Sequence, residues 1–198
     1  MKILGTILAR LGSKRLPYKN ILPFQGQPLM GVGINTLRQI KRINDVIVST
    51  ESELIARIAH FDYSAHVLQR PHFLAEDGVP SIPVFQHIME HFEADLYVNY
   101  NFNFPLCRFE AIEEAIILAE KYGEVLSNPV AVWVQTRECL LNYGDPYDIK
   151  AHRFDIDCAG PVDIHREEDL LQTYQYLQGP LIGWRSEICQ SVEGVSTA

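Results

Sequence analysis

The chain lacks most of the features that assign a sequence at a glance. Its 198 residues include four cysteines (Cys107, Cys139, Cys158 and Cys189), far apart and without a C-x-x-C pair. That spacing argues against a disulfide framework and a zinc site, and reads as reduced, mostly buried thiols of a cytoplasmic protein. No apolar run approaches the roughly 18 residues that span a bilayer, so no membrane partner is expected. The opening MKILGTILARLGSKR has no small-residue cleavage site after its short apolar run and reads as a buried strand, not a signal peptide. Internal repeats, low-complexity tracts and Gly/Ser linkers are also missing. One domain over 1–198 is the natural expectation at this length.

The most informative absence is of carboxylates. The chain carries 17 Lys+Arg against 25 Asp+Glu, a formal charge of −8, yet residues 1–44 hold eight cations and no acid. The first carboxylate is Asp45, and everything after residue 44 sums to −16. An acidic protein repels a polyanion, so nucleic acid is not an expected partner. One purely cationic segment suits a small, multiply charged anion instead.

Apolar runs alternate with helical periodicities, which predicts βαβ units around a mainly parallel sheet flanked by helices. Strands are expected at Lys2–Leu8, Asp45–Thr50, His66–Leu68, Asp95–Asn99 and Val130–Gln135. Helices are expected at Pro28–Arg42, Glu51–His60, Ser81–Phe92, Phe109–Tyr122 and Arg166–Leu177, the last with Glu167–Asp169 at its positive end. Residues 142–161 follow no clear period.

The loop after the first strand, Ala9–Asn20, lies where open α/β sheets place their ligands. Gly12 lets backbone approach a phosphate, Ser13 adds a hydroxyl, and Arg10, Lys14, Arg15 and Lys19 supply charge. Opposite charges about 4 Å apart attract by about 1 kcal/mol in water and about 4 kcal/mol at an effective dielectric near 20, so such a loop gains most in a cleft. It has no Walker A spacing. Gly31-Val32-Gly33 lacks the third glycine of a dinucleotide fingerprint and sits inside a helical pattern, which excludes a dehydrogenase and predicts close packing.

Four blocks resemble the sugar-acid cytidylyltransferases, the family of CMP-sialic acid synthetase and pseudaminic acid cytidylyltransferase. They are ARLGSKRLPYKNILPFQGQPL, DVIVSTESELIARIA, Arg70-Pro71 with Leu74–Asp77, and Pro161–Leu170. The resemblance implies a single Rossmann-like domain of the nucleotide-diphospho-sugar transferase type. It also implies CTP-dependent activation of a sugar acid with release of pyrophosphate. Leu8, Ala9, Arg10, Gly12, Ser13, Lys19, Asn20, Arg70, Asp77 and Ser81 would bind nucleotide, with Arg10 and Lys19 acting on the phosphates. Asn101 and Asn103 would meet the sugar acid, and Asp163, with His165 at a carboxylate position of the family, would hold Mg²⁺ or Mn²⁺. No residue stands out as a general base.

Each of these residues also has a plainer reading. Arg70 could pair with Asp77 on the surface, Ser81 could cap a helix, and Asp163 or His165 could begin one. Asp155 and Asp157 read as a solvated strand edge in preference to a metal pair. Two departures from the family pattern stand out beside His165. Phe102 and Phe104, in the loop 99–108, predict a more apolar acceptor pocket. The extension that exchanges between subunits of the family's homodimer is reduced here, within about 123–161. A binding protein without turnover, and a same-fold transferase using another nucleotide or acceptor, are the alternatives.

Overall fold

The computed structural model describes residues 1–156 and 162–179; Asp157, Cys158, Pro161 and Cys189 lie outside them. Strand β1 (Ile3–Leu8) is followed by the cationic loop and a short hairpin of β2 (Pro23–Phe24) and β3 (Gln27–Pro28). Its turn, Gln25-Gly26, has positive φ at both residues, the geometry of a two-residue hairpin. Pro28 thereby becomes an extended cap, and helix α1 runs Leu29–Gln39, shorter at both ends than the period suggested. At its far end Ile40 turns extended and buries its side chain.

Next come β4 (Asp45–Thr50), α2 (Glu53–Arg57) continued by one π turn, β5 (His66–Gln69), α3 (Ser81–His91), β6 (Leu96–Tyr100) and α4 (Phe109–Tyr122). Ser52 starts α2 by accepting from the Ile55 N–H at 3.4 Å. Gly123, at φ 79°, ends α4. The remaining elements are β7 (Glu124–Asn128), β8 (Val132–Thr136), α5 (Arg137–Leu141), β9 (His152–Asp155) and α6 (Glu167–Gln178). The chain's pattern did not announce β7, α5 or β9.

Seven strands form one sheet in the order β5-β4-β1-β6-β8-β7-β9, with only β8 running against the rest. The apolar runs of β1, β4 and β6 are buried on both faces, as central parallel strands must be. On one face Ile3, Ile7, Val48 and Val98 share a core with Ile34 and Leu37 of α1 and Ile112 and Ile116 of α4. On the other, Leu4, Ile47, Tyr97 and Trp133 share a core with Phe85, Ile88 and Met89 of α3. The expected close packing around the α1 glycines is present: a Cβ on Gly33 would stand 2.6 Å from Phe102 Cβ. The chain leaves β1 toward β4 and β5, then returns to the other side of β1 with β6. That reversal puts a crevice at the carboxyl ends of β1 and β6.

Candidate active site

A cavity of about 630 Å³ occupies this crevice. Its floor is polar although the strands beneath are apolar. The Thr6 hydroxyl bonds Asn99 Oδ1, while Asn99 Nδ2 donates to Trp133 O and Gln135 Oε1, each at 3.1 Å. Gln135 and the Trp133 indole both donate to Glu124 Oε1, at 3.0 and 2.9 Å. This buried network fixes the indole, which meets Phe85 edge to face at 5.3 Å in the cavity wall.

The cationic loop forms a second wall and is pinned at three points. Leu11 N–H donates to Glu51 Oε1 at 2.8 Å, Asn20 Nδ2 donates to Arg10 O at 2.7 Å, and Lys19 Nζ donates to Ile164 O at 3.1 Å. Its four cations divide by partner. Arg10 lies 2.7 Å from Asp77, which Lys14 also contacts. Hydrogen bonds from Lys14 and Arg10 hold the Asp77 carboxyl below the usual range. Lys19 is buried, and desolvation lowers its pKa from the usual 10.5 to about 8 despite the attraction of Asp163. Arg15 is exposed and lies 2.7 Å from His165 Nδ1.

Helix α6 brings His165 there. Tyr174 packs on Phe24 at 5.2 Å and donates to Pro23 O at 2.9 Å, while Ile164 N–H donates to Asn103 O at 2.9 Å. Asp169 accepts from the backbone N–H groups of His165 and Arg166, both at 2.8 Å, which keeps its carboxyl low against desolvation. The guanidinium has no lone pair to offer, so it donates to His165 Nδ1. The ring hydrogen is then on Nε2, which donates to Asp163 Oδ2 at 2.8 Å.

Leu8, Arg10, Ser13, Lys19, Asn20, Asp77, Ser81, Asn101, Asn103 and His165 all line the cavity. Ala9 is fully buried behind it, its N–H bonded to Ser49 O, and Gly12 lies on the adjoining outer groove. Arg70 does not pair with Asp77 on the surface. It is buried beside Arg10 and Ser81, donates to Ser49 O at 3.3 Å and Glu51 at 3.4 Å, and keeps a buried Nε without a partner. Burial lowers its pKa, against the pull of Glu51. Ser81 is the first residue of α3 and makes no cap bond; Pro80 holds that position. Asp163 stands four residues ahead of α6, behind His165, and does not line the cavity. Its Oδ1 is buried and unpartnered.

Phe102 lines the cavity as expected, but Phe104 does not: it is buried in the core, its carbonyl accepting from Tyr100 at 2.7 Å. Asp155 is a strand-edge residue that accepts from Asn128 Nδ2 at 2.9 Å. Among the described residues no cluster of three or more His, Cys, Asp or Glu forms a ready metal site, and no helix is long and apolar enough to cross a membrane. Thr6, Asn99, Phe85 and Trp133 were not foreseen. Thr6 and Asn99 carried a usable signal, as polar residues inside apolar strands.

A doubly wound sheet with a cation-lined crevice at its switch point defines the class: an α/β protein with a candidate site at the carboxyl ends of its strands. The family described as Cytidylyltransferase matches residues 4–145, and the chain belongs to that family. It is 34% identical over 122 residues to N-acylneuraminate cytidylyltransferase A of Danio rerio, an alignment covering 61% of this chain and 28% of that protein. The chain thus matches under a third of that relative's length. Among solved structures, CMP:2-keto-3-deoxy-manno-octonic acid synthetase complexed with CTP superposes with a TM-score of 0.76 at 16% identity. That match covers 89% of this chain and 98% of the other. Rv0371c of Mycobacterium tuberculosis H37Rv, solved in complex with manganese, gives 0.64 at 16% identity, over 87% and 97% of the two chains. These two likenesses establish the fold.

Proposed function

We propose that this chain binds CTP in the crevice and transfers its CMP group to a sugar acid of the sialic or nonulosonic type. The observation that carries this reading is the gathering of Arg10, Lys14, Arg15 and Lys19 around one cavity in whose lining, among the described residues, Asp77 is the single carboxylate. A triphosphate and the carboxylate of a sugar acid together need that charge, and in a crevice the charge is only weakly screened. Family membership and the N-acylneuraminate relative support the choice of nucleotide and acceptor.

The acceptor's anomeric hydroxyl attacks the α-phosphorus, the bond to the bridging oxygen breaks, and pyrophosphate leaves with its electron pair while the hydroxyl proton is lost to solvent. Arg10, Lys14, Ser13 and Lys19 hold the phosphates and stabilise charge as it moves to the leaving group. Asn20, Arg70 and Ser81 take the cytidine end, where Arg70 keeps an unpartnered Nε. Asn101 and Asn103 face the acceptor.

The carboxylate available to a divalent ion is Asp163, whose Oδ1 is unpartnered but lies buried behind His165, outside the cavity lining. Mg²⁺ keeps waters and takes phosphate oxygens, so one carboxylate suffices for it. His165 does not fit as a ligand, because both ring nitrogens are engaged. When bound, such an ion supplies charge neutralisation on the triphosphate.

The test is pyrophosphate release with CTP, UTP, GTP or ATP and a panel of sugar acids, with CTP as the expected donor. Tight CTP binding without pyrophosphate supports the binding-only alternative. Failure to bind any nucleoside triphosphate overturns both.

A further inference from the structure

Two oppositely placed groups divide the cavity's cations. Arg10 and Lys14 answer to Asp77 on one wall. Arg15 and Lys19 bond instead to His165 Nδ1 and Ile164 O, and the bond from Ile164 N–H to Asn103 O joins that segment to the acceptor asparagines. The reaction brings two anions into the cavity, a triphosphate and the acceptor's carboxylate. Arg10, Lys14 and Lys19 serve the first, which leaves Arg15 for the second.

We infer that Arg15, positioned by His165, receives the carboxylate of the acceptor sugar acid. The inference rests on the cytidylyltransferase reading and adds a specificity-determining residue to it. Arg15 lines the cavity and, like Lys19, has no carboxylate within ion-pair distance among the described residues; Lys19 is buried and bonded to the Ile164 carbonyl, whereas Arg15 is exposed. A guanidinium can hold His165 with one nitrogen and present its remaining N–H groups as a fork to a planar carboxylate. His165 is the hinge pin of this arrangement. Nδ1 accepts from Arg15, Nε2–H donates to Asp163, and the backbone N–H is tied to Asp169. An imidazole here thus orients a cation, where a carboxylate would instead cancel its charge.

Three variants separate the roles. Arg15 is exposed on a loop, so Arg15→Gln leaves the fold intact, which a thermal melt verifies. His165→Asn keeps an amide oxygen near the Nδ1 position, and His165→Leu keeps no hydrogen-bonding atom. Each is assayed for pyrophosphate release with CTP and either N-acetylneuraminic acid or 2-keto-3-deoxy-manno-octonic acid, and for CTP affinity by calorimetry.

For Arg15→Gln the acceptor KM should rise roughly 10- to 100-fold, the range of one charge-assisted contact, with CTP affinity within about twofold of wild type. His165→Leu should follow Arg15→Gln, and His165→Asn should stay near wild type. The methyl ester of the acceptor, a poor substrate for wild type, should lose no further ground in Arg15→Gln. Unchanged acceptor KM in Arg15→Gln, or a loss confined to CTP affinity, overturns the inference while the activity stands. A wild-type protein that binds CTP and turns over no sugar acid overturns the activity reading, and this inference with it.

Discussion

Replacing Lys19 with methionine should stabilise the protein while depriving it of nucleotide. A lysine whose pKa falls from 10.5 to about 8 carries its charge in the folded state at a cost of about 3 kcal/mol near neutral pH. Methionine has nearly the same length and no charge to desolvate. Against this gain, Ile164 O loses its 3.1 Å donor, worth about 1 kcal/mol. The net gain is about 2 kcal/mol, a rise in Tm of about 4–8 °C for a chain of this size.

The sign with pH follows from linkage. Because the folded pKa lies below the unfolded one, the unfolded chain binds more protons between pH 8 and 10.5, and wild-type stability rises across that window. The advantage of Lys19→Met should therefore be full below pH 8, shrink through the window, and reverse above it, where the wild type keeps its uncharged donor. Urea denaturation of both proteins at pH 7, 9 and 10.5 measures the difference, with all shared titrations cancelling. Calorimetry at pH 7 should show CTP affinity down on the order of 100-fold in the variant. A less stable variant at pH 7, or a stability difference indifferent to pH, would refute the reasoning.

Other outcomes follow from the same geometry. Arg10→Ala should lower kcat/KM by about 2–3 kcal/mol of transition-state stabilisation with an unchanged melt, read by steady-state kinetics. A Cβ on Gly12 meets no protein atom within 4 Å, so Gly12→Ala should fold as wild type yet weaken CTP binding where backbone must approach phosphate. A Cβ on Gly33 meets Phe102 Cβ at 2.6 Å, so Gly33→Ala should cost about 1–3 kcal/mol in denaturant and change acceptor KM through the displaced Phe102 wall. Asp163→Asn should raise the Mg²⁺ concentration needed for half-maximal pyrophosphate release and leave CTP specificity unaltered.

Among the parts of the fold that were legible in the sequence are those whose burial is complete. The β1, β4 and β6 runs are apolar because helices cover both faces, and α4 carries its period through Phe109–Tyr122 to a glycine stop. The missed elements are short or lie on the sheet's edge. Strand β9, HRFD, is mostly exposed and carries charge, and α5 is five residues long, started by the Thr136 hydroxyl accepting from Cys139 N–H. Neither has enough buried positions to set a period.

At the site, the cationic loop was readable because its four charges fall within ten positions of the chain. Asp163 entered through resemblance alone, since nothing local ties it to Lys19. The pairing of Arg15 with His165 spans 150 residues, and the Thr6–Asn99 contact depends on the register of β1 beside β6. Such contacts exist only once the sheet order is known.

The central claim is that the loop after β1 holds a triphosphate in the crevice at the sheet's switch point. A crystal soaked with CTP and Mg²⁺ tests it most directly. The phosphates should lie within hydrogen-bond reach of Arg10, Lys14 and Lys19, with the cytosine toward Arg70 and Ser81. Phosphates bound elsewhere, with those three side chains unchanged, would contradict it.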